Sequence, residues 1–233
     1  MKLGIMQPYF LPYIGYFQLI NAVDIFVIHD DVQWIKNGWI NRNRVLVNGE
    51  DRFITLPLLK ESSLLNINQR HVSTDIVVQK QKILRQVQES YRKAPYFFEA
   101  FELLERCLEN TESNISIFVT NTIHEYCSYL NIKTPILLSS AIDKNNALKG
   151  QERVIEINKR LGADNYINPH GGVELYSVDA FSKHGIKLQF LRPTSISYQQ
   201  FKHEHVSHLS ILDATMFNTK KELSALLNAY DLF

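Results

Sequence analysis

"KLGIMQPYFLPYIGYFQLINAVDIFVIHDD", residues 2–31, decides the architecture. Its first six residues are a short apolar run stopped by Pro8, the pattern of a buried strand. From Gly15 onward, "GYFQLINA" places its apolar residues at helical spacing, and "DIFVIHD" (24–30) is a second run of β-formers with little polar alternation. Strand, loop, short helix and strand in one stretch predict a βαβ unit whose parallel strands are covered on both faces. The connecting loop is unusual. A plain turn uses Gly, Asn, Asp and Ser, whereas this one carries Tyr9, Phe10, Tyr13, Tyr16 and Phe17 on a backbone stiffened by Pro8 and Pro12.

Outward from there the pattern changes and then returns. "RVLV-NG-EDRFITLPL" reads as a hairpin, because Asn48-Gly49 suits a type I′ turn. Residues 57–72 are polar and weakly patterned, as in a surface loop. Residues 73–131 then predict about three helices: one capped by Ser73 or Thr74, one opened by Pro95, and "NISIFVTNTIHEYCSYLNI". "TPILLSS", "NYIN" and "IKLQFL" read as strands, separated by helices that end at Gly162 and Gly185, and two helix-like segments close the chain. Two β/α blocks flanking a helical run predict a single α/β domain over residues 1–233, with a parallel sheet of about five strands and a helical insertion at 73–131.

Composition narrows the classes. Hydrophobic residues make up 45% and charged residues 21% of 233 positions, a globular balance rather than a disordered one. A net charge of +1 supplies no overall field toward nucleic acid or an anionic membrane. Cys107 and Cys127 sit in predicted helices and are too few for a zinc pattern or disulfide framework, so we expect reduced thiols and a cytoplasmic protein. No run approaches the ~18 apolar residues of a membrane span, and the N-terminus carries no export pattern.

In parallel sheets ligands bind beyond the C-terminal ends of the strands, which marks four segments: Gln7–Tyr16, His29–Arg44, Asn168–Tyr176 and Arg192–Ser210. In the first, Gln7 and the hydroxyls of Tyr9 and Tyr13 can bond a ligand, and Gly15 opens a helix whose free N–H groups favour an anion; the rings would otherwise only cover the sheet end. In the second, "HDDVQWIKNGWINRNR", Asp30 or Asp31 could hold Mg²⁺ or take a proton. There Lys36, Arg42 and Arg44 could grip a phosphate beside Asn41, with Trp34 and Trp39 as flat surfaces. Plain salt bridging is the alternative. In "NPHGGVELY", Gly171-Gly172 permits close backbone approach and His170 can act as acid, base or anion donor. In "HEHVSHLSILD", His203, His205 and His208 have no carboxylate at a metal-site spacing, so a metal is left unassigned. Ser210 is a candidate contact or simply the cap of the next helix. No G-x-S-x-G elbow is present.

"QPYFLPYIGYFQLI", "DDVQWIKNGWINRNRVL", "NPHGGVELY", "IKLQFL…YQQF" and "LSILDATMFN" together resemble the WbqC-like family from Gln7 to Asn218. Its members are bacterial, and many are encoded among O-antigen and other surface-polysaccharide genes. The resemblance implies a transferase that attaches glycine or a similar amino acid to a nucleotide-linked amino sugar. A second resemblance, carried by the first strand, loop and helix, is to the HxGH nucleotidylyltransferases, a Rossmann-like superfamily that includes pantothenate synthetase. The two histidines of that motif match Tyr13 and Tyr16 around Ile14-Gly15 here, and "SHLSILDATMF" stands at the second signature without its basic residue. This resemblance implies ATP and Mg²⁺ as co-reactants and an acyl-adenylate route. The near-neutral charge disfavours an aminoacyl-tRNA donor. A non-catalytic sugar-nucleotide binder or scaffold of the same pathway is the alternative.

Overall fold

The computed structural model describes residues 1–194, 196–202 and 204–233. Strand β1 (Lys2–Met6), helix α1 (Ile14–Ala22) and β2 (Ile25–Ile28) form the expected βαβ unit, β1 and β2 pairing in parallel from Leu3↔Ile25 to Met6↔Ile28. A separate two-stranded hairpin follows, β3 (Arg42–Val47) with β4 (Glu50–Thr55). Its turn has Asn48 at φ 53° and Gly49 at φ 82°, the double left-handed geometry that an Asn-Gly pair supports. Helices α2 (Ile76–Tyr91), α3 (Phe97–Glu109) and α4 (Ile115–Tyr129) come next. Asn114 caps α4 by accepting from the amides of Ser116 and Ile117. Neither Ser73 nor Thr74 caps α2: the cap is Asp75, whose side chain makes no capping bond.

The remaining elements are β5 (Ile136–Leu138), α5 (Gly150–Leu161), β6 (Asn165–Pro169), α6 (Val178–Ser182), β7 (Lys187–Pro193), α7 (Ile211–Phe217), α8 (Lys220–Leu227) and β8 (Tyr230–Leu232). The sheet runs β5-β2-β1-β6-β7-β8. Its five parallel strands therefore follow the 3-2-1-4-5 order of a Rossmann-like sheet. The sixth, β8, joins antiparallel to β7 (Leu191↔Leu232), where the sequence pattern predicts only the end of a helix. Three residues of "YDL" are too few to show a period, and tertiary contacts decide them. Gln18, fully buried in α1, donates to the carbonyls of Leu226 (2.7 Å) and Ala229 (3.0 Å), fastening the chain end to the sheet.

Alternation along the strands sends side chains to two cores. Leu3, Ile5, Val27, Tyr166 and Leu188 pack with Val154, Ile157 and Phe181 of α5 and α6. Phe26, Ile28, Ile167 and Leu191 pack with α1, the hairpin, α2–α4, α7 and α8. Gly4 lets β1 pack closely, since a Cβ would stand 3.2 Å from the Phe26 ring and 3.3 Å from Leu19, which would have to shift by a few tenths of an ångström. The strand order reverses at β1, so α1 and α5 lie on opposite faces, and a crevice opens between the C-terminal ends of β1 and β6.

Candidate functional site

A cleft of about 460 Å³ lies at that crevice. Tyr13 of the first loop and Ile14 at the start of α1 form one wall; Pro169 ends β6 and His170 and Gly171 follow it; Arg192 and Pro193 end β7, with Thr194 next. Tyr198, His205, Ser207 and His208 close the far side. A smaller pocket of about 150 Å³ adjoins it, lined by Tyr9, Tyr13, Trp39, Asn43, Arg44 and His208. Tyr13 and His208 belong to both, their rings meeting edge-on at 5.9 Å.

The opening aromatics divide by role. Phe10, Tyr16 and Phe17 are buried and hold the loop down, Tyr16 donating to the carbonyl of Gln7 at 3.0 Å. Tyr13 folds its ring back over the start of α1. A Cβ on Gly15 would lie 2.3 Å from Tyr13 Cε2, so the glycine makes room for the ring, which takes the space expected for an anion. Burial raises the phenols of Tyr9 and Tyr13 above their ordinary range, so both are neutral donors at neutral pH.

Arg44 reaches the small pocket over the Trp39 ring at 5.5 Å, its Nη1 donating to Asp51 at 2.9 Å and its Nη2 to the carbonyl of His208 at 3.3 Å. Asn43, buried, donates to the carbonyls of Phe10 and Leu11 and so fixes hairpin to loop. The other candidates of this segment serve the fold. Asn41 donates to the Leu56 carbonyl at 2.7 Å; Arg42 binds the Asn37 and Gly38 carbonyls over the Phe53 ring; Trp34 packs under Arg70 at 5.2 Å. Lys36 is exposed on the 35–39 turn, outside both pockets. Ser210 is fully buried and accepts from the Leu212 amide, so it caps α7 and is out of a ligand's reach. Gly172 is buried where a Cβ would meet Asn168 Nδ2 at 1.9 Å, so its role is close packing beneath the cleft rather than contact with a ligand.

The paired aspartates stand apart from the cleft. Asp30 is buried, its two oxygens accepting from the amide and hydroxyl of Ser140 at 2.9 and 2.6 Å. Asp31 meets Lys144 at 2.7 Å, with Arg153 and His29 each at 3.8 Å. Lys144 also donates to the Ser139 carbonyl, and Arg153 donates to the carbonyls of Asp31, Asn146 and Leu148. Burial pushes the Asp31 carboxyl up, but Lys144, Ser139 and His29 together outweigh it and hold the group below the usual carboxylate range. For His29, burial outweighs the pull of Asp31, and Arg153 and Lys144 add to it, lowering the imidazole to about 4. The chain's own cations thus stand where Mg²⁺ was expected, so these residues do not fit that ion. Among the described residues no three His, Cys, Asp or Glu side chains group closely enough to hold a metal, and His203 lies outside the described residues.

Sequence reading missed Lys144, Arg153 and His29. The strand-end rule would have marked residues 139–150 had it been applied to "TPILLSS" as well. Within the marked segment Arg192–Ser210 it did not single out Tyr198 and Gln200, which converge with Tyr91 on buried Asp213: Tyr91 and Tyr198 hydroxyls donate at 2.8 Å each, and Gln200 at 2.6 Å. Burial raises the Asp213 carboxyl, while these donors pull it back.

The WbqC-like protein family model matches residues 7–225, which include every residue lining both pockets. The chain belongs to the WbqC-like family. This WbqC-like chain is also 30% identical over 168 residues to the uncharacterized protein Rv1507c of Mycobacterium tuberculosis (strain ATCC 25618 / H37Rv), covering 72% of this chain and 71% of that protein. No solved structure matches. Among the described residues of this WbqC-like chain, no helix is long and apolar enough to cross a membrane.

Proposed function

We propose that this WbqC-like protein joins an amino acid, glycine or one close to it in size, to the amine of a nucleotide-linked amino sugar in cytoplasmic O-antigen or surface-polysaccharide synthesis. The single observation that supports this most is the cleft at the switch point, where rings, imidazoles and a guanidinium from three strand ends share one space. Such a lining suits a ligand with a flat base, a sugar ring and phosphates. We take residues 1–233 as one α/β domain with 73–131 inserted, so that the whole chain serves this cleft.

A free carboxylate and an ammonium do not condense at useful yield in water. In the route we favour, by analogy with HxGH nucleotidylyltransferases, a carboxylate oxygen of the amino acid attacks the α-phosphorus of ATP and displaces pyrophosphate. The sugar amine then attacks the acyl carbon, AMP leaves with the electron pair, and the amine proton passes to an imidazole of the cleft. Tyr13 and Tyr198 offer faces to the base or sugar, and Arg192 and Arg44 offer guanidinium groups to phosphate or carboxylate.

The test mixes protein, glycine, ATP with Mg²⁺ and a dTDP-linked amino sugar, and follows the mass of the sugar nucleotide. A gain of one glycyl group with matched AMP release supports the proposal. Saturable binding of the sugar nucleotide with no mass gain favours the second reading, a non-catalytic binder. That reading is favoured by one feature: among the described residues, no carboxylate lines either pocket.

A further inference from the structure

The geometry points to His205 as the proton acceptor of the cleft, with Asp213 as the residue that positions it. This rests on the transfer reading above and deepens it by choosing among His170, His205 and His208, which all line the same space.

The three imidazoles differ in how they are held. Among the described residues, His205 is the one of these three with a ring nitrogen in a hydrogen bond: its Nδ1 lies 3.1 Å from the carbonyl oxygen of Tyr198. A carbonyl can only accept, so Nδ1 carries the proton in the neutral ring. Nε2 is then left with its lone pair, which is the form a general base needs. His170 is exposed, with its ring 5.8 Å from that of Phe233, and His208 lies edge-on to Tyr13; neither contact selects a tautomer.

The mounting of His205 is built from the same segment. Its ring meets the Tyr198 ring at 4.8 Å and 79°, edge to face. The Tyr198 hydroxyl is pinned to Asp213 Oδ2 at 2.8 Å. Gln200, buried, donates to the same oxygen at 2.6 Å and to the Val206 carbonyl at 3.1 Å, and accepts from the Val206 amide at 2.7 Å. One fully buried carboxylate on α7 therefore fixes the residues on both sides of the imidazole, and Tyr91 on α2 closes its remaining oxygen. No such framework supports His170 or His208 among the described residues.

In the step assigned here, the sugar amine nitrogen forms its bond to the acyl carbon of the acyl-adenylate while its proton moves to His205 Nε2. The acyl–phosphate C–O bond breaks, AMP departs with the pair, and the imidazolium returns its proton to water. Among the described residues, the charged and titratable groups that face His205 are Tyr198 and Asp213 behind it, and Tyr13, Arg192, His170 and His208 around the cleft.

Two measurements test this. Long-range ¹⁵N–¹H spectra of the imidazoles in the full chain should show neutral His205 as the Nδ1–H tautomer, with its Nε2 signal moving when the sugar nucleotide is added; an Nε2–H tautomer overturns the assignment whatever the activity. In the glycyl-transfer assay, His205→Gln should lower kcat by about 10²-fold or more with KM changed less than about threefold; His170→Gln should lose about tenfold less, and His184→Gln, at an exposed histidine outside both pockets, leaves kcat unchanged. Asp213→Asn should lower kcat with a small change in KM and convert the His205 signal to a tautomer mixture, a signature that simple destabilisation does not produce. An active wild type with an equally active His205→Gln overturns the inference alone. A wild type that binds the sugar nucleotide but never turns over overturns the transfer reading and the base role with it.

Discussion

His29 gives the sharpest test of the rim as described. It is held neutral at the end of β2, largely by burial, with its imidazole lowered from 6.5 to about 4. An unfolded chain binds a proton at this site below about 6.5, whereas the folded chain resists it until about 4. The unfolded state therefore binds more protons across that window, and stability falls as pH drops through it. At about 1.4 kcal/mol per unit, the gap between 6.5 and about 4 corresponds to roughly 3 kcal/mol lost between pH 7 and pH 4. For a domain of this size that is about 6–12 °C in Tm. Asp31 blurs the result little, because its carboxyl is held below the usual carboxylate range. Equilibrium urea unfolding of wild type and His29→Gln from pH 7.5 to 4 measures the difference directly. Gln cannot titrate, so the variant should be within about 1 kcal/mol of wild type at pH 7 and lose about 3 kcal/mol less on acidification. Parallel curves for the two proteins would refute the burial argument.

Three further substitutions probe the packing. Lys144→Met leaves the largely buried Asp31 carboxylate with only the more distant Arg153 charge, and should cost about 3 kcal/mol in urea unfolding; Asp31→Asn in the same chain should recover more than half of it. Gly15→Ala displaces the Tyr13 ring from 2.3 Å contact, so sugar-nucleotide affinity by calorimetry should fall about tenfold, with less than about 1 kcal/mol lost from stability, since a ring at the end of a side chain can swing away. Gly172→Ala instead drives a methyl into the buried Asn168 amide, whose oxygen accepts from Tyr166 at 2.9 Å, and should cost about 2 kcal/mol by thermal unfolding.

The parts of the fold that could be read in advance are those with local causes. The βαβ opening follows from two apolar runs around a helical period, the I′ hairpin from Asn48-Gly49, and the end of α5 from Gly162 at φ 70°. What could not be read has a nonlocal cause. Strand β8 exists because β7 offers an edge and Gln18 holds the chain end beside it. Of the candidate ligand contacts, Tyr9, Tyr13, Trp39, Arg44, His170 and Gly171 line the joined pockets, since strand ends and the hairpin bring them there. Asp30 and Asp31 do not, because the serine that binds Asp30 and the lysine that neutralises Asp31 come from a loop more than a hundred residues away, with Arg153 of α5 just beyond it. No pattern near residue 31 announces Lys144.

The two sides of the sheet's upper edge are fastened in different ways, and that difference has a consequence for motion. Near β2 and β5, opening requires separating a buried ammonium, a guanidinium and two carboxylates together, so amide exchange at Ser140 should track global unfolding. Near α7, Tyr198 and Gln200 are tied to one carboxylate through neutral donors, with the Arg44 guanidinium holding the carbonyl of His208, and the amides of Tyr198 and Gln200 should exchange through a cheaper local opening. Any breathing that admits a bulky molecule would then come from one flank only, with the opposite flank serving as the fixed anvil against which it closes.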